Sequence, residues 1–128
     1  MSNNPPKILL VEEDALLAEV TAFRLELLGY EVTCVDSGNA ALDHVLEQPP
    51  EAMILDLALP DMPGLEVINQ LKNDNRTNAV PVLAFSTDAD LEAVQRAFAA
   101  GVQDYLVTPY DPIVLQSKLE KLLQTASV

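Results

Sequence analysis

Short apolar runs alternate with segments of helical periodicity along the whole chain. The runs at 7–11, 31–35, 52–55, 80–85 and 105–107 predict five strands. Between them, apolar residues recur every three or four positions, which predicts helices at 15–28, 38–47, 65–72, 91–100 and 112–125. Strands that alternate regularly with helices predict an α/β fold, a doubly wound parallel sheet with helices on both faces.

Length and composition narrow the class of protein further. The 128 residues suit one domain, which we assign to 7–124, with an N-terminal tail at 1–6 and a C-terminal tail or the start of a linker at 125–128. The net charge of −13 has the wrong sign for binding phosphate backbones, so we expect no direct contact with nucleic acid. No apolar run reaches the roughly 18 residues of a membrane span, and a single cysteine suits a reducing compartment, so we expect a cytoplasmic protein that does not bind membranes. We interpret that cysteine, Cys34, as a small buried hydrophobe.

Carboxylates follow the ends of two predicted strands. Glu12 and Glu13 come directly after the first strand, and Asp56 follows the third. The carboxyl ends of parallel strands meet at one edge of the sheet, so these side chains are expected to lie together. Carboxylates in such a cluster repel one another unless a cation neutralises them or one of them is protonated. The sequence therefore predicts a site for a hard divalent cation such as Mg²⁺.

Hydroxyl side chains follow the last two strands at the same edge. Ser86 and Thr87 come at the end of the fourth strand, and Thr108 follows the fifth. Mg²⁺ bound by one or two carboxylates commonly completes its coordination with phosphate oxygens and water. Acids and hydroxyls together at an open sheet edge therefore suggest phosphate chemistry.

Four sequence blocks surround these polar positions: ILLVEE at 8–13, MILDLALPDMPG at 53–64, PVLAFST at 81–87 and GVQDYLVTPY at 101–110. Their order and spacing resemble the receiver domains of two-component response regulators, and the resemblance covers about 7–123. It implies a flavodoxin-like sheet with the strand order 2-1-3-4-5. It also implies that the chain is a signalling module and not an enzyme, beyond catalysing its own phosphorylation and dephosphorylation.

The resemblance assigns roles to individual residues. Asp56 corresponds to the aspartate that accepts the phosphoryl group. Glu12 and Glu13 correspond to the paired acids that hold Mg²⁺ together with Asp56, and Ala58 supplies a backbone carbonyl as a further ligand. Ser86 corresponds to the hydroxyl residue that binds the phosphoryl group.

Further assignments concern the switch and the loops. Tyr105 corresponds to the aromatic residue that moves with Ser86 when the domain is switched. Pro60 and Gly64 match the loop after the acceptor, and Pro109 stands where the family has a cis proline. The implied partners are a sensor histidine kinase or phosphotransfer protein, and a downstream protein that binds the fourth helix, fifth strand and fifth helix.

Two residues depart from the family pattern. The second acid of the pair is usually Asp, and Glu13 is one methylene longer, so weak Mg²⁺ binding is expected because Mg²⁺ demands near-ideal geometry. Thr108 stands where the family has a lysine, the fixed cation that faces the phosphoryl oxygens. A threonine hydroxyl offers one hydrogen-bond donor and no positive charge.

These departures leave alternatives open. The chain is either a working phosphorelay receiver or a degenerate pseudo-receiver that binds partners independently of phosphorylation. A remote third possibility is a Mg²⁺-dependent phosphohydrolase with Asp56 as its nucleophile, although Ala58 stands where a second acid would be needed. We expect a monomer or a weak homodimer, for which the fourth and fifth helices offer a face with Asp104 and Lys118 as a possible pair between subunits.

Overall fold

The computed structural model describes residues 4–126, and its five strands form one parallel sheet in the order β2-β1-β3-β4-β5. The strands are β1 Lys7–Val11, β2 Glu31–Val35, β3 Ala52–Asp56, β4 Val82–Ser86 and β5 Asp104–Val107. The helices are α1 Ala15–Leu27, α2 Gly38–Glu47, α3 Gly64–Lys72, α4 Leu91–Ala100 and α5 Pro112–Ala126. The fold class and the strand order predicted above are confirmed.

The sheet has an apolar core on each face. Alternate residues of the central strands point to opposite faces, so Leu9 joins the core under α2, α3 and α4 while Ile8 joins the core under α1 and α5. Because β1, β3 and β4 are buried on both faces, their sequences are continuous apolar runs. Among the described helices, none is long and apolar enough to cross a membrane.

Several element boundaries differ from the prediction by one or two residues, and two of these differences have a direct physical cause. β4 begins at Val82, because Pro81 has no N–H to donate to a neighbouring strand and the Val80 N–H is used in a turn, where it donates to the Thr77 carbonyl over 3.2 Å. α1 ends at Leu27, one residue earlier than predicted. Gly29 follows with a φ of +97°, in the left-handed region that glycine adopts at helix ends.

α1 is apolar on two opposite sides. Asp14 caps its N-terminus, since its Oδ1 accepts hydrogen bonds from the Leu16 and Leu17 N–H groups, each over 3.0 Å. The side that packs on the sheet carries the small residues Ala18 and Thr21 and one leucine, Leu25. The larger apolar residues Leu16, Val20, Phe23 and Leu27 face solvent.

One minor prediction is wrong, and two charged residues considered for a contact between subunits are paired within the chain. Cys34 is exposed, because β2 is an edge strand with little packed over its outer half. Lys118 and Asp104 form an ion pair within one chain, with the Lys118 Nζ 2.9 Å from the Asp104 Oδ1. That pair joins α5 to β5, so both groups are already partnered within one chain.

The loop after β3 folds back tightly onto the end of that strand. The Gly64 N–H donates to the Leu57 carbonyl over 2.9 Å, and Ala58 forms an antiparallel bridge with Pro63. A Cβ atom at Gly64 would lie 2.6 Å from the Leu57 Cα and 3.0 Å from the Asp56 carbonyl oxygen. The loop therefore requires glycine at this position to approach the backbone of β3 so closely.

Replacing Gly64 by alanine is expected to lower the free energy of unfolding by about 1–3 kcal/mol, because the new methyl group meets backbone atoms that cannot rotate away. Gly38→Ala is a matched control: its Cβ would meet mainly the Met62 side chain, which has several rotatable bonds. Urea denaturation followed by circular dichroism measures both. A Gly38→Ala variant that loses as much stability as Gly64→Ala would contradict this account.

Candidate functional site

The carboxyl ends of β1, β3, β4 and β5 surround a cavity of about 320 Å³. Five of the ten residues predicted for the site line this cavity, namely Glu12, Asp56, Ala58, Ser86 and Thr108. The parallel register explains the meeting of the two acids. Val11 pairs with Leu55, so the residues that follow them, Glu12 and Asp56, leave neighbouring strands side by side.

Backbone hydrogen bonds hold the loops around the cavity. The Leu57 N–H donates to the Phe85 carbonyl over 2.9 Å, and the Thr108 N–H donates to the Ser86 carbonyl over 2.8 Å. The peptide bond between Thr108 and Pro109 is cis. Pro60 lies exposed in the loop that Gly64 closes. The cavity is therefore lined by strand ends and tight loops.

Glu12 is the most buried acid of the site, with 5% of its surface exposed. The pKa of Glu12 is raised to about 7, mainly by burial and next by a hydrogen bond with the Asp56 side chain. The Asp14 N–H, which donates to Glu12 Oε2 over 3.1 Å, acts in the opposite direction. The Glu12 carboxyl group is thus close to Asp56 and resists carrying a second negative charge there.

Glu13 does not line the cavity that contains Asp56. Its exposed side chain lies instead at an adjacent hollow of about 580 Å³, beside Cys34 and Asp36. Glu12 lines this hollow as well as the Asp56 cavity, so it stands between Glu13 and Asp56. Asp14, which caps α1, also lines the Asp56 cavity. The structure therefore brings Glu12 and Asp56 into one cavity and places Glu13 at the adjacent hollow.

The carboxyl oxygens of Glu12 and Asp56 fit a Mg²⁺ ion that has few protein ligands. Within residues 4–126, no group of three acidic, histidine or cysteine side chains is arranged to hold a metal ion without other ligands. Two adjoining carboxyl groups, one with a raised pKa, still form a site that a divalent cation would neutralise. Mg²⁺ is commonly bound by one or two carboxylates, with water and phosphate completing its octahedron.

The cavity contains no fixed positive charge from the described part of the chain. Its lining residues include neither lysine, arginine nor histidine. Thr108 is half-buried and neutral. Any charge balance for the acids must therefore come from protons or from a bound cation.

Ser86 and Tyr105 are joined through the backbone of Asp88. The Ser86 Oγ accepts a hydrogen bond from the Asp88 N–H over 3.0 Å, and the buried Tyr105 hydroxyl donates to the Asp88 carbonyl over 2.7 Å. These bonds connect the end of β4, the loop before α4 and the middle of β5. A change at Ser86 can thus reach α4 and β5 through two hydrogen bonds.

Two contacts near the site were not predicted. Asp61, in the loop after β3, accepts hydrogen bonds from the Gly38 and Asn39 N–H groups over 2.8 and 2.9 Å, and these bonds lower its pKa. Asp61 thereby caps α2 from another loop. The Tyr110 hydroxyl lies 2.7 Å from Thr21 Oγ1 and links the last loop to α1. The acid in the Pro-Asp-Met-Pro segment was the available sequence signal for the first contact.

Comparison with known proteins gives consistent matches. Residues 8–120 match the model of the response regulator receiver domain. The chain is 31% identical over 121 residues to the chemotaxis protein CheY1 of Helicobacter pylori strain J99, covering 93% of this chain and 98% of that protein. It is 34% identical to the transcriptional regulatory protein CrdR of Helicobacter pylori strain 26695, covering 90% of this chain but 54% of CrdR. The chain spans about half the length of the transcriptional regulators it matches, such as the 49% covered of RpaA from Synechocystis.

Solved structures agree with the same assignment. A putative response regulator from Chloroflexus aurantiacus superposes with a TM-score of 0.90 at 31% identity, covering 94% of this chain and 98% of that one. The receiver domain of the sensor histidine kinase PA1611 from Pseudomonas aeruginosa, which has a magnesium ion coordinated in its active site cleft, superposes with a TM-score of 0.87 at 28% identity, covering 94% and 98%.

The contact between Glu12 and Asp56 predicts that the effect of Glu12→Gln on the free energy of unfolding depends on pH. Since the folded-state pKa of Glu12 is raised from 4.5 to about 7, the metal-free wild type is expected to lose stability as the pH rises from about 4.5 through 7. A glutamine avoids this loss because it stays neutral and can donate to Asp56. Glu12→Gln is therefore expected to be more stable than the wild type by about 1–3 kcal/mol at pH 8 and similar to it at pH 4.5.

Urea denaturation in EDTA, followed by circular dichroism at both pH values, tests this expectation. Glu13→Gln is the matched control, since it removes the same charge one residue away and outside the Asp56 cavity. Equal stabilities of wild type and Glu12→Gln at pH 8, or an equal gain in Glu13→Gln, would contradict the assigned role of Glu12.

Proposed function

The chain belongs to the response regulator receiver domain family of two-component signalling, and we propose that it accepts a phosphoryl group on Asp56 from a sensor histidine kinase or phosphotransfer protein. The observation that carries the proposal is the placement of the Asp56 carboxylate in a cavity shared with Glu12, Ser86 and Thr108. A phosphohistidine donor suits a cytoplasmic location, which we also propose.

The proposed step is a displacement at phosphorus. Ala58 N–H donates to Asp56 Oδ1 over 2.9 Å and orients the carboxylate. A carboxylate oxygen of Asp56 bonds to the phosphorus of the phosphohistidine, the phosphorus–nitrogen bond breaks, and the departing imidazole takes up a proton. The product is an acyl phosphate on Asp56, and hydrolysis returns the carboxylate and inorganic phosphate. We propose no other catalytic activity.

Glu12, Asp56 and the Ala58 carbonyl are the groups that we propose would hold Mg²⁺. Bound there, Mg²⁺ would neutralise the acids and the phosphoryl oxygens, which is the main requirement of phosphoryl transfer. We propose weak binding, because Glu13 is one methylene longer than the aspartate usual in the family and Mg²⁺ demands near-ideal octahedral geometry. Transfer is expected to be slow, because Thr108 provides a hydroxyl and no charge.

The output of the switch is proposed to pass through Asp88. The Ser86 hydroxyl would bind the phosphoryl group and give up its contact with the Asp88 N–H. Tyr105, which is bonded to the Asp88 carbonyl, would then move with this loop and alter the surface formed by α4, β5 and α5. A downstream protein is the proposed partner, and the chain's net charge of −13 argues against direct binding to nucleic acid.

One observation favours a second candidate, a pseudo-receiver that binds its partner without phosphorylation. The cavity has no lining cation in the described chain and no third acid arranged to hold a metal. In that case the same α4, β5 and α5 surface would bind the partner in a single conformation, and changes at Asp56 would leave the affinity unchanged.

Phosphorylation by acetyl phosphate with Mg²⁺ distinguishes these candidates. Asp56→Asn is expected to abolish the phosphorylated species, whereas Asp43→Asn, an exposed acid on α2, leaves it unchanged. Thr108→Lys is expected to raise the rate at least about tenfold by adding the missing cation, with the exposed Thr33→Lys as the charge-matched control. Intact-mass spectrometry follows the reaction. An unmodified wild type together with an unmodified Thr108→Lys variant would establish the pseudo-receiver.

Tyr105→Phe tests the route from Ser86 to α4. Loss of the bond to the Asp88 carbonyl is expected to cost about 1 kcal/mol of stability. Beryllium fluoride with Mg²⁺, which imitates a phosphoryl group on Asp56, should then shift amide NMR signals near Asp56 but move those of Leu91–Ala100 much less than in the wild type. Tyr110→Phe, which loses its contact with Thr21, is the control and should keep both sets of shifts. If the amide signals of α4 in Tyr105→Phe shift as far as in the wild type, the route from Ser86 to α4 through Tyr105 is excluded.

A further inference from the structure

The outward side of α1 carries a continuous apolar stripe, which we call the α1 seam. Its members are Leu16, Val20, Phe23 and Leu27, with 71%, 39%, 61% and 71% of their surfaces exposed. They line a shallow groove of about 620 Å³ together with Glu19, Arg24 and Glu26 of the same helix. Isolated exposed apolar residues are ordinary, but a contiguous stripe edged by charged residues marks an interaction surface.

The seam has the spacing of a two-stranded coiled coil. Its residues follow one another by four, three and four positions, so Leu16 and Phe23 occupy d positions and Val20 and Leu27 occupy a positions of a heptad. Glu19 is then a g position and Arg24 an e position. A helix with this pattern is suited to pair with another helix of the same kind.

The charges beside the seam identify a second copy of this chain as the occupant. In a parallel pair, a g residue faces the e residue five positions later on the other helix, so Glu19 of each copy meets Arg24 of the other. Both copies contribute, which gives two symmetric ion pairs. Within the described residues, neither Glu19 nor Arg24 takes part in an intramolecular salt bridge, so both side chains are available.

The same charges oppose an antiparallel pair. Antiparallel coiled coils bring g residues together on one side, so Glu19 and Glu26 from both copies would form a cluster of four carboxylates. The parallel arrangement instead places apolar residues of the same kind opposite each other, Phe23 against Phe23 and Leu27 against Leu27. Charge complementarity therefore selects the parallel orientation.

We propose that the α1 seam is a homodimer interface, in which α1 packs in parallel against α1 of a second copy. The apolar surface continues beyond Leu27 to the exposed Leu28 and Ile113, which border a neighbouring groove of about 220 Å³. The helix is short and each chain has a net charge of −13, so the dimer is weak, with a dissociation constant on the order of 10–500 μM. The seam residues lie on α1, on the face of the sheet opposite α4, and the dimer does not require phosphorylation of Asp56, so this proposal does not rest on the proposed function.

Sedimentation velocity of the whole chain in about 0.15 M NaCl, over loading concentrations from about 10 μM to 1 mM, measures the dimer. Phe23→Ser is expected to weaken it by at least about 30-fold, as for a central interface aromatic. Phe98→Ser, which removes an exposed phenylalanine from α4, is the matched control and should change the dissociation constant less than about twofold. Circular dichroism checks that both variants fold, as their exposed positions predict.

Charge reversal tests the orientation. Glu19→Arg and Arg24→Glu are each expected to weaken the dimer about tenfold, because each places like charges opposite one another, and the double variant should restore the wild-type affinity at an unchanged net charge. A wild type that stays monomeric at 1 mM overturns the proposal, and so does a dimer sensitive to Phe98→Ser but not to Phe23→Ser. A stronger dimer in Glu19→Arg alone overturns the parallel arrangement.

Discussion

Two carboxyl groups meet where β1 and β3 end, and the chemistry of the site depends on how their charge is balanced. The parallel register sets this meeting, because Val11 pairs with Leu55 and the next residues are Glu12 and Asp56. Burial of Glu12 makes a second charge beside Asp56 unfavourable, which is why its pKa is raised to about 7. The strand order therefore brings two carboxyl groups together whose negative charges repel each other. A proton on one of them or a bound cation removes this repulsion.

Because Thr108 is neutral, no positive charge at this position offsets the repulsion between Glu12 and Asp56. A lysine at this position would supply a permanent positive charge close to the acids, whereas threonine leaves proton and cation as the only sources of balance from outside the carboxyl pair. If Asp56 accepts a phosphoryl group as proposed, the negative charge of the site grows further at that step. Phosphorylation of this chain should then depend on the divalent cation more steeply than it would in a site that also contains lysine.

Local patterns predicted the architecture better than the details of the site. Apolar runs identified the buried strands, and Gly29 and Pro81 explain the small errors at element ends, since backbone conformation and a missing N–H act over one or two residues. Glu13 was assigned to the site from the resemblance, and in this structure it lines the hollow beside the Asp56 cavity together with Glu12, not the Asp56 cavity itself. The cap that Asp61 provides to α2 joins two loops distant in sequence, so no periodicity could reveal it. Cys34 was judged from its residue type alone, although the implied strand order 2-1-3-4-5 makes β2 an edge strand, whose side chains are less covered.

α1 shows why periodicity identifies a helix more readily than its buried side. Small residues such as Ala18 and Thr21 let the helix approach the sheet, while the larger Leu16 and Phe23 recur with the same period on the opposite side. Packing within one chain explains the apolar side of α1 that contacts the sheet, but not the apolar side that faces solvent. Because α1 begins directly after the acids at the end of β1, a parallel pair would hold two Asp56 sites at the same end of the dimer, within reach of one partner, whereas an antiparallel pair would separate them. The orientation of this helix pair therefore determines whether the two sites can be engaged together.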